Sequence, residues 1–240
     1  MFPKHRQSLL LRFGTIVILI MAVAGIVPIQ PVHAATLTVT NTNNGGAGSL
    51  RSAIRNAAPG DIVTFALSLS GQTITLTSTL VINKNITIDG SSLPSKVNIS
   101  GNNQVMIFLI VAPAKVTMKN LVIKNGYSAN GTGGIYNDGY LTMIQSDITG
   151  NAGASGGGIK NGGTLLLSNS TISSNVAAVG GGIDNRGNLR IARSVVTGNA
   201  ATSGGGIWNS YGTITVVNST VSNNSATSTA GGTRCSTLPP

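Results

Sequence analysis

The acidic side chains are the residues of this chain that could most directly catalyse a reaction. Five are present, all of them aspartates, and both histidines, His5 and His33, lie within the first 34 residues. An inverting glycosidase uses two carboxylates about 10 Å apart, and stacked repeats would separate Asp138 and Asp184 by roughly that distance. These two form the best available catalytic pair. We nevertheless expect no catalysis, because both can equally be solvated surface residues.

Metal and cofactor chemistry needs clusters of residues that the sequence does not offer beyond position 34. Zinc sites require grouped histidines or cysteines, Ser-His-Asp triads require histidine, and calcium sites require several grouped carboxylates. The recurring phrase GGGI lacks the GK[ST] sequence that completes a phosphate-binding loop. We therefore expect no cofactor and no bound metal.

A recurring isoleucine precedes a second set of chemically active residues. The residue after it is successively Tyr136, Lys160, Asp184 and Trp208, and Arg186 follows two positions beyond Asp184. Alternation along a strand directs this column outwards. Aromatic rings and cations on a flat sheet can stack on sugar rings and pair with uronate or phosphate. These five residues are the predicted ligand-binding set, with an extracellular or cell-wall polysaccharide as the partner.

The first 34 residues predict a secretory signal peptide of the Sec type. Basic residues precede an apolar run over 13–27, and Val32 and Ala34 occupy the small-residue positions that a signal peptidase requires. The run is shorter than the roughly 20 residues that span a bilayer, so we expect cleavage rather than an uncleaved anchor. We therefore expect an extracellular or cell-surface protein with no membrane span after cleavage.

The net charge of +10 would attract anionic polymers, but charge alone equally reports solubility. The basic residues are diluted by Asn, Ser and Gly and lack the aromatic-basic motifs of recognition modules, so we expect no specific nucleic-acid binding. The oligomeric state stays open.

A 24-residue repeat must position these side chains. The phrase GGGI restarts at Gly156, Gly180 and Gly204, and apolar residues alternate with period two in each copy. Such a period indicates a solenoid whose coils stack equivalent residues about 4.8 Å apart. We expect amides to hydrogen-bond between coils, while Asn and Gly adopt the left-handed backbone of the corners. The expected ladders are Ile135, Ile159, Ile183, Ile207; Ile148, Ile172, Val196, Val221; Asn137, Asn161, Asn185, Asn209; and Asn151, Asn175, Asn199, Asn224.

The ends of the solenoid need covers, because an open end exposes apolar core and unpaired strand edges. In residues 35–79 we predict an N-terminal cap, with Ser49 capping a short helix. Residues 80–230 are the predicted coils, and the whole chain should hold about six or seven of them. Residues 231–240 are expected to be a frayed or truncated tail.

The segment GSLRSAIRNAAPGDIVTF, from Gly48 to Phe65, resembles the CSLREAI-type N-terminal element of secreted bacterial right-handed parallel β-helix proteins of the pectin lyase-like kind. Gly48 replaces the cysteine of that motif, and Ser52 replaces its glutamate. The phrases GGGI and ITGN also resemble the repeats of polymorphic outer-membrane proteins, although this chain has Ile or Val where that family has Phe. The resemblance implies export and an all-β, single-stranded right-handed parallel β-helix with about 24 residues per coil and a short capping helix.

The resemblance says little about activity, since this fold carries adhesins, pectate lyases and glycosidases. We expect a secreted or cell-surface structural or adhesive module that binds extracellular polysaccharide. The alternative is a carbohydrate-active enzyme, either a polysaccharide lyase or a glycoside hydrolase.

Overall fold

The computed structural model describes residues 34–228 and the short strand 233–235. All of the predicted signal peptide except its last residue, Ala34, lies outside the described residues. The described chain winds into a right-handed parallel β-helix of about eight turns, with about 25 residues per turn and very little helix. This confirms the predicted all-β fold class.

Four sheets run along the β-helix, and we name them A to D in the order in which the chain enters them. Sheet A contains β1 (Thr36–Val39), β2 (Ile62–Phe65), β5 (Ile86–Asp89), β8 (Lys115–Lys119), β12 (Tyr140–Ile144), β16 (Thr164–Ser168), β20 (Asn188–Ala192) and β24 (Thr213–Val217). Sheet B contains β3 (Thr73–Thr75), β6 (Val97–Ser100), β9 (Leu121–Lys124), β13 (Asp147–Thr149), β17 (Thr171–Ser173), β21 (Val195–Thr197) and β25 (Thr220–Ser222).

Sheet C contains β4 (Leu80–Ile82), β7 (Phe108–Ile110), β11 (Ile135–Asn137), β15 (Ile159–Asn161), β19 (Ile183–Asn185), β23 (Ile207–Asn209) and β27 (Thr233–Cys235). Sheet D contains β10 (Tyr127–Ser128), β14 (Ala152–Ser155), β18 (Val176–Val179), β22 (Ala200–Ser203) and β26 (Ser225–Ala226). Each regular coil therefore passes through sheets C, A, B and D before the next coil begins.

The β-helix begins earlier in the chain than the sequence predicted. The segment 35–79 does hold a helix, but its strands β1, β2 and β3 also pair in parallel with later coils of sheets A and B. Sheet A consequently has eight strands, whereas the sequence predicted about six or seven coils. The irregular spacing of these first coils hides them from a search for a 24-residue period.

The core consists of the predicted ladders of like residues. Ile135, Ile159, Ile183 and Ile207 occupy successive register positions of sheet C and have no exposed surface. Ile148, Ile172, Val196 and Val221 form the equivalent column of sheet B and are buried. A parallel sheet supports this arrangement because each strand repeats the apolar face of its neighbour.

The asparagine ladders form as predicted, with side-chain amides bonded from coil to coil. Nδ2 of Asn151 donates to Oδ1 of Asn175 at 2.9 Å, and Asn175 repeats this bond to Asn199 at 2.9 Å. The sequence analysis missed a third ladder, in which each backbone N–H donates to a serine hydroxyl one coil further on. Its members recur at the same period and are Ser146, Ser170, Ser194 and Ser219.

The expectation that the ladder asparagines supply left-handed corners is wrong. The residues with positive φ lie elsewhere, and one such column joins sheets A and B. Its members are Asn120, Gln145, Asn169, Arg193 and Asn218, with φ between 48° and 54°. The ladder asparagines instead point into the coil, where backbone and amide groups need hydrogen-bond partners.

The glycine triplets serve two different purposes. Gly156 has a φ of +65° and makes the corner into sheet C. Gly157 does not have a positive φ, but a Cβ there would lie 2.5 Å from the carbonyl oxygens of Gly181 and Val176. Backbones of adjacent coils therefore meet at this position with no space for a side chain.

The N-terminal end is covered by helix α1 (Leu50–Asn56), which Ser49 caps by accepting a bond from the Ser52 N–H. Leu50, Ala53 and Ile54 of this helix are buried against the first coils. At the other end of sheet C, β27 pairs antiparallel with β23. Part of the tail predicted to be frayed therefore forms a strand.

Candidate functional site

Four of the five predicted ligand-binding residues occupy one register column of sheet C, and the fifth, Arg186, lies just beyond the end of β19. Tyr136 pairs with Lys160, Lys160 with Asp184, and Asp184 with Trp208. At about 4.8 Å per coil, the column extends roughly 14 Å from Tyr136 to Trp208. We define the sheet C face as this column together with the residues two positions further along, namely Tyr136, Asp138, Lys160, Asp184, Arg186, Trp208 and Ser210.

The N-terminal half of the sheet C face is organised around the ring of Tyr136. The Lys160 ammonium lies over that ring, 5.1 Å from its centroid, in a cation–π contact. Burial raises the pKa of the Tyr136 phenol above its ordinary value, and the nearby Asp138 carboxylate raises it further. The phenol therefore stays protonated at neutral pH, and its O–H donates towards the Asp138 carboxylate.

Asp184 is fully buried, whereas strand alternation predicted an exposed side chain at this position. Its Oδ2 accepts a 2.5 Å hydrogen bond from the Ser155 hydroxyl and lies 3.3 Å from Nη2 of Arg186. Oδ1 has no hydrogen-bond partner among the residues that the structure describes. The expectation of a solvated Asp184 is wrong because its short side chain lies between the larger Lys160 and Trp208, with Ser155 of sheet D against it.

The C-terminal half of the sheet C face presents Arg186 and Trp208. The Arg186 side chain is 48% exposed although it is paired with Asp184. Trp208 is partly buried, and its Nε1 donates to Oγ of Ser210 at 2.8 Å. The indole N–H is thus satisfied within the protein, which leaves the ring itself as the group available to a ligand.

The geometry does not favour the catalytic pair that the sequence offered. Asp138 is exposed beside Tyr136, but Asp184 has no exposed surface and its carboxylate is held by Ser155 and Arg186. A general base must reach the reacting group or a bound water. Within the described ranges 34–228 and 233–235, no group of three or more His, Cys, Asp or Glu residues could hold a metal ion.

Ser155 is the residue of this site that sequence reasoning missed. It lies on β14 of sheet D and meets Asp184 29 residues later in the chain. Its column continues with Val179 and Ser203, so the apolar valine interrupts the serine pattern that could have marked the position. Only the path of the chain between sheets D and C reveals the contact.

A second surface feature is a cleft of about 390 Å³ between α1 and β4. Two of its three basic side chains, those of Arg51 and Lys84, already have partners within the protein. Arg51 donates to the carbonyl oxygens of Ser78 and Thr79, and Lys84 donates to those of Arg55 and Ala57. These hydrogen bonds attach helix α1 to the first coils, and we assign the cleft no ligand.

The fold and this outer face define the chain as a right-handed parallel β-helix with a mixed aromatic and charged surface on one sheet. No family model, no curated protein and no solved structure matches the chain. Among the residues that the structure describes, no helix is both long and apolar enough to cross a bilayer.

Proposed function

We propose that this protein is a secreted or cell-surface scaffold that attaches to extracellular polysaccharide through the sheet C face, without catalysis. The observation that carries the proposal is the register of Tyr136, Lys160 and Trp208 along one outer column. Aromatic rings bind the apolar faces of sugars, and the charged groups beside them can bond sugar hydroxyls.

The rigidity of the coil supports a binding role for this face. The inward asparagine next to each column position is bonded to the next coil, with distances of 2.7 Å from Asn137 to Asn161 and 2.7 Å from Asn161 to Asn185. A platform held in this way loses little conformational freedom when a ligand binds, and such preorganisation favours affinity.

The extracellular location and the narrower family assignment belong to this proposal. The basic and apolar pattern of residues 1–34 supports export. The resemblance of Gly48–Phe65 to the CSLREAI-type element, and of the GGGI phrases to polymorphic outer-membrane protein repeats, supports a secreted β-helix related to the pectin lyase-like proteins.

The test is depletion of the full chain from solution by insoluble plant and bacterial polysaccharides. The double variant Trp208→Ala, Arg186→Ala should lose most of its retention. The matched control is Tyr140→Ala, Arg190→Ala, which removes one aromatic and one arginine from the exposed side of sheet A and should retain binding. Equal losses in the two variants, or no retention of the parent chain, would overturn the proposal.

The same polysaccharides test the enzymatic alternative when release of new chain ends is measured with and without calcium. We expect no release. Turnover that Asp138→Asn or Asp184→Asn abolishes would instead identify a polysaccharide lyase or glycoside hydrolase.

A further inference from the structure

The seven residues that define the sheet C face hold two cations and two anions, although the whole chain carries a net charge of +10. Its cations are Lys160 and Arg186, and its anions are Asp138 and Asp184. We infer that this face selects a neutral, hydroxyl-rich polysaccharide over a polyanionic one. The inference rests on the proposed function and goes further, because a basic protein would by charge alone be expected to prefer uronates or phosphates.

The buried carboxylate of Asp184 neutralises the most exposed cation of the face. Its Oδ2 lies 3.3 Å from Nη2 of Arg186, and salt screens a buried charge of this kind only weakly. A guanidinium has five N–H donors, so Arg186 keeps further donors for a ligand. Sugar hydroxyls can accept these bonds without supplying a charge, whereas a uronate would approach a cation whose charge is already compensated.

The charges in the N-terminal half of the sheet C face, around Tyr136, are also engaged within the protein. The Lys160 ammonium is turned towards the Tyr136 ring, and the Asp138 carboxylate acts on the Tyr136 phenol. A uronate bound here would meet the exposed charge of Asp138, which repels it. A neutral sugar would instead find an acceptor at Asp138 and donors at the ammonium.

The spacing of the aromatic rings indicates an extended ligand. Tyr136 and Trp208 stand three coils apart, roughly 14 Å, with the charged pairs between them. Rings at both ends and polar groups in the middle suit several consecutive sugars of one chain. Arg190, the next exposed cation along the chain, lies on sheet A. In sheet C, Arg234 of β27 pairs in register with Trp208, so it adds one cationic residue at the C-terminal edge of the face, beyond the charged pairs.

The test is affinity electrophoresis of the full chain in gels containing cellulose derivatives without charge, xylan, mannan or polygalacturonate. We expect at least one neutral polymer to bind at least about tenfold more tightly than polygalacturonate, a difference equivalent to about 1.4 kcal/mol. Binding to that polymer should change little with added salt. Tighter binding of polygalacturonate, with a steep loss in salt, would overturn this inference while leaving the proposed function standing. Binding to no polymer would overturn both.

Asp184→Asn provides a sharper test, because it removes the charge that compensates Arg186. We expect the variant to gain affinity for polygalacturonate several-fold. Asp147→Asn is the matched control, since it changes the net charge equally but frees Lys96, its partner at 2.8 Å, and Asp147 lies on sheet B. If Asp184→Asn does not fold, Asp138→Asn should produce the same gain from an exposed position. An equal gain in Asp147→Asn would show that net charge alone sets the preference and would overturn the inference.

Discussion

Asn161 donates from Nδ2 to Oδ1 of Asn185 at 2.7 Å, and neither side chain has any exposed surface. Asn161 also accepts at Oδ1 from Asn137, so it is an interior member of its ladder. Replacing it by Ala removes both ladder bonds and the longer donations from Nδ2 to the carbonyl oxygens of Gly163 and Asn188. We expect Asn161→Ala to lower the free energy of unfolding by about 2 kcal/mol or more, measured by urea denaturation.

The first member of that ladder provides the comparison. Within the described part of the chain, Oδ1 of Asn137 already lacks a partner, because the preceding register position is Ile110. Asn137→Leu therefore removes an unsatisfied acceptor while it breaks the bond to Asn161. We expect Asn137→Leu to lower the free energy of unfolding by less than Asn161→Ala does. An equal or larger loss would show that the asparagine ladder is not the source of this stability.

A methyl group at Gly157 should be strongly destabilising. A Cβ there would lie 2.5 Å from two backbone carbonyl oxygens, and backbone cannot move aside as a flexible side chain can. We expect Gly157→Ala to lower the free energy of unfolding by about 1–3 kcal/mol. The matched control is Gly45→Ala, whose added Cβ would meet nothing within 4 Å and whose φ is not positive. Similar thermal midpoints for the two variants would refute this explanation.

Much of the fold is predictable because the repeat determines the register in which successive strands pair. A fixed period places Ile159 beside Ile183 in register, and a short strand offers no other pairing that keeps both inside. The corners are less predictable, because stacking imposes one conformation on a whole column whatever its residues. Gln145 and Arg193 adopt the left-handed backbone conformation in a column whose other members are asparagines. Their residue types gave no indication of this conformation.

For the candidate site, the sequence predicted which residues share a column but not how exposed each of them is. Strand alternation correctly placed Lys160 and Trp208 on the side of sheet C away from the core, but it cannot tell how much of a short side chain its neighbours cover. The burial of Asp184 depends on Ser155, which reaches it from another sheet. Contacts of this kind come from the path of the chain around the corner, which no local pattern encodes.

The N-terminal helix should depend on Arg51 more than on any other charged residue of α1. Its guanidinium donates to the carbonyl oxygens of Ser78 and Thr79 and to Asn44, which joins the helix to two loops. We expect Arg51→Ala to lower the free energy of unfolding by about 2 kcal/mol. Arg55→Ala, in the last turn of the same helix, should change it little. Hydrogen exchange of the α1 amides would locate the effect, and equal losses in both variants would contradict it.

The link between Asp138 and Tyr136 predicts how the phenol titrates. Burial raises the pKa of Tyr136 above its ordinary value of 10.0, and the Asp138 carboxylate adds to the rise. Because the folded pKa lies above the unfolded one, Tyr136 contributes stability that is present below pH 10.0 and is lost as the pH rises through the folded pKa. We expect Asp138→Asn to lower the pKa of Tyr136 without returning it to the ordinary value, because the burial remains.

The measurement is the ultraviolet absorbance of phenolate during an alkaline titration, with Tyr136→Phe subtracted to isolate one of the four tyrosines. Asp89→Asn is the matched control, because Asp89 pairs with Lys119 at 3.0 Å on sheet A, away from Tyr136. It should leave the Tyr136 titration unchanged. An unshifted midpoint in Asp138→Asn would mean that the two side chains do not interact in solution, and it would remove one of the two charge contacts from which the neutral character of the sheet C face is argued.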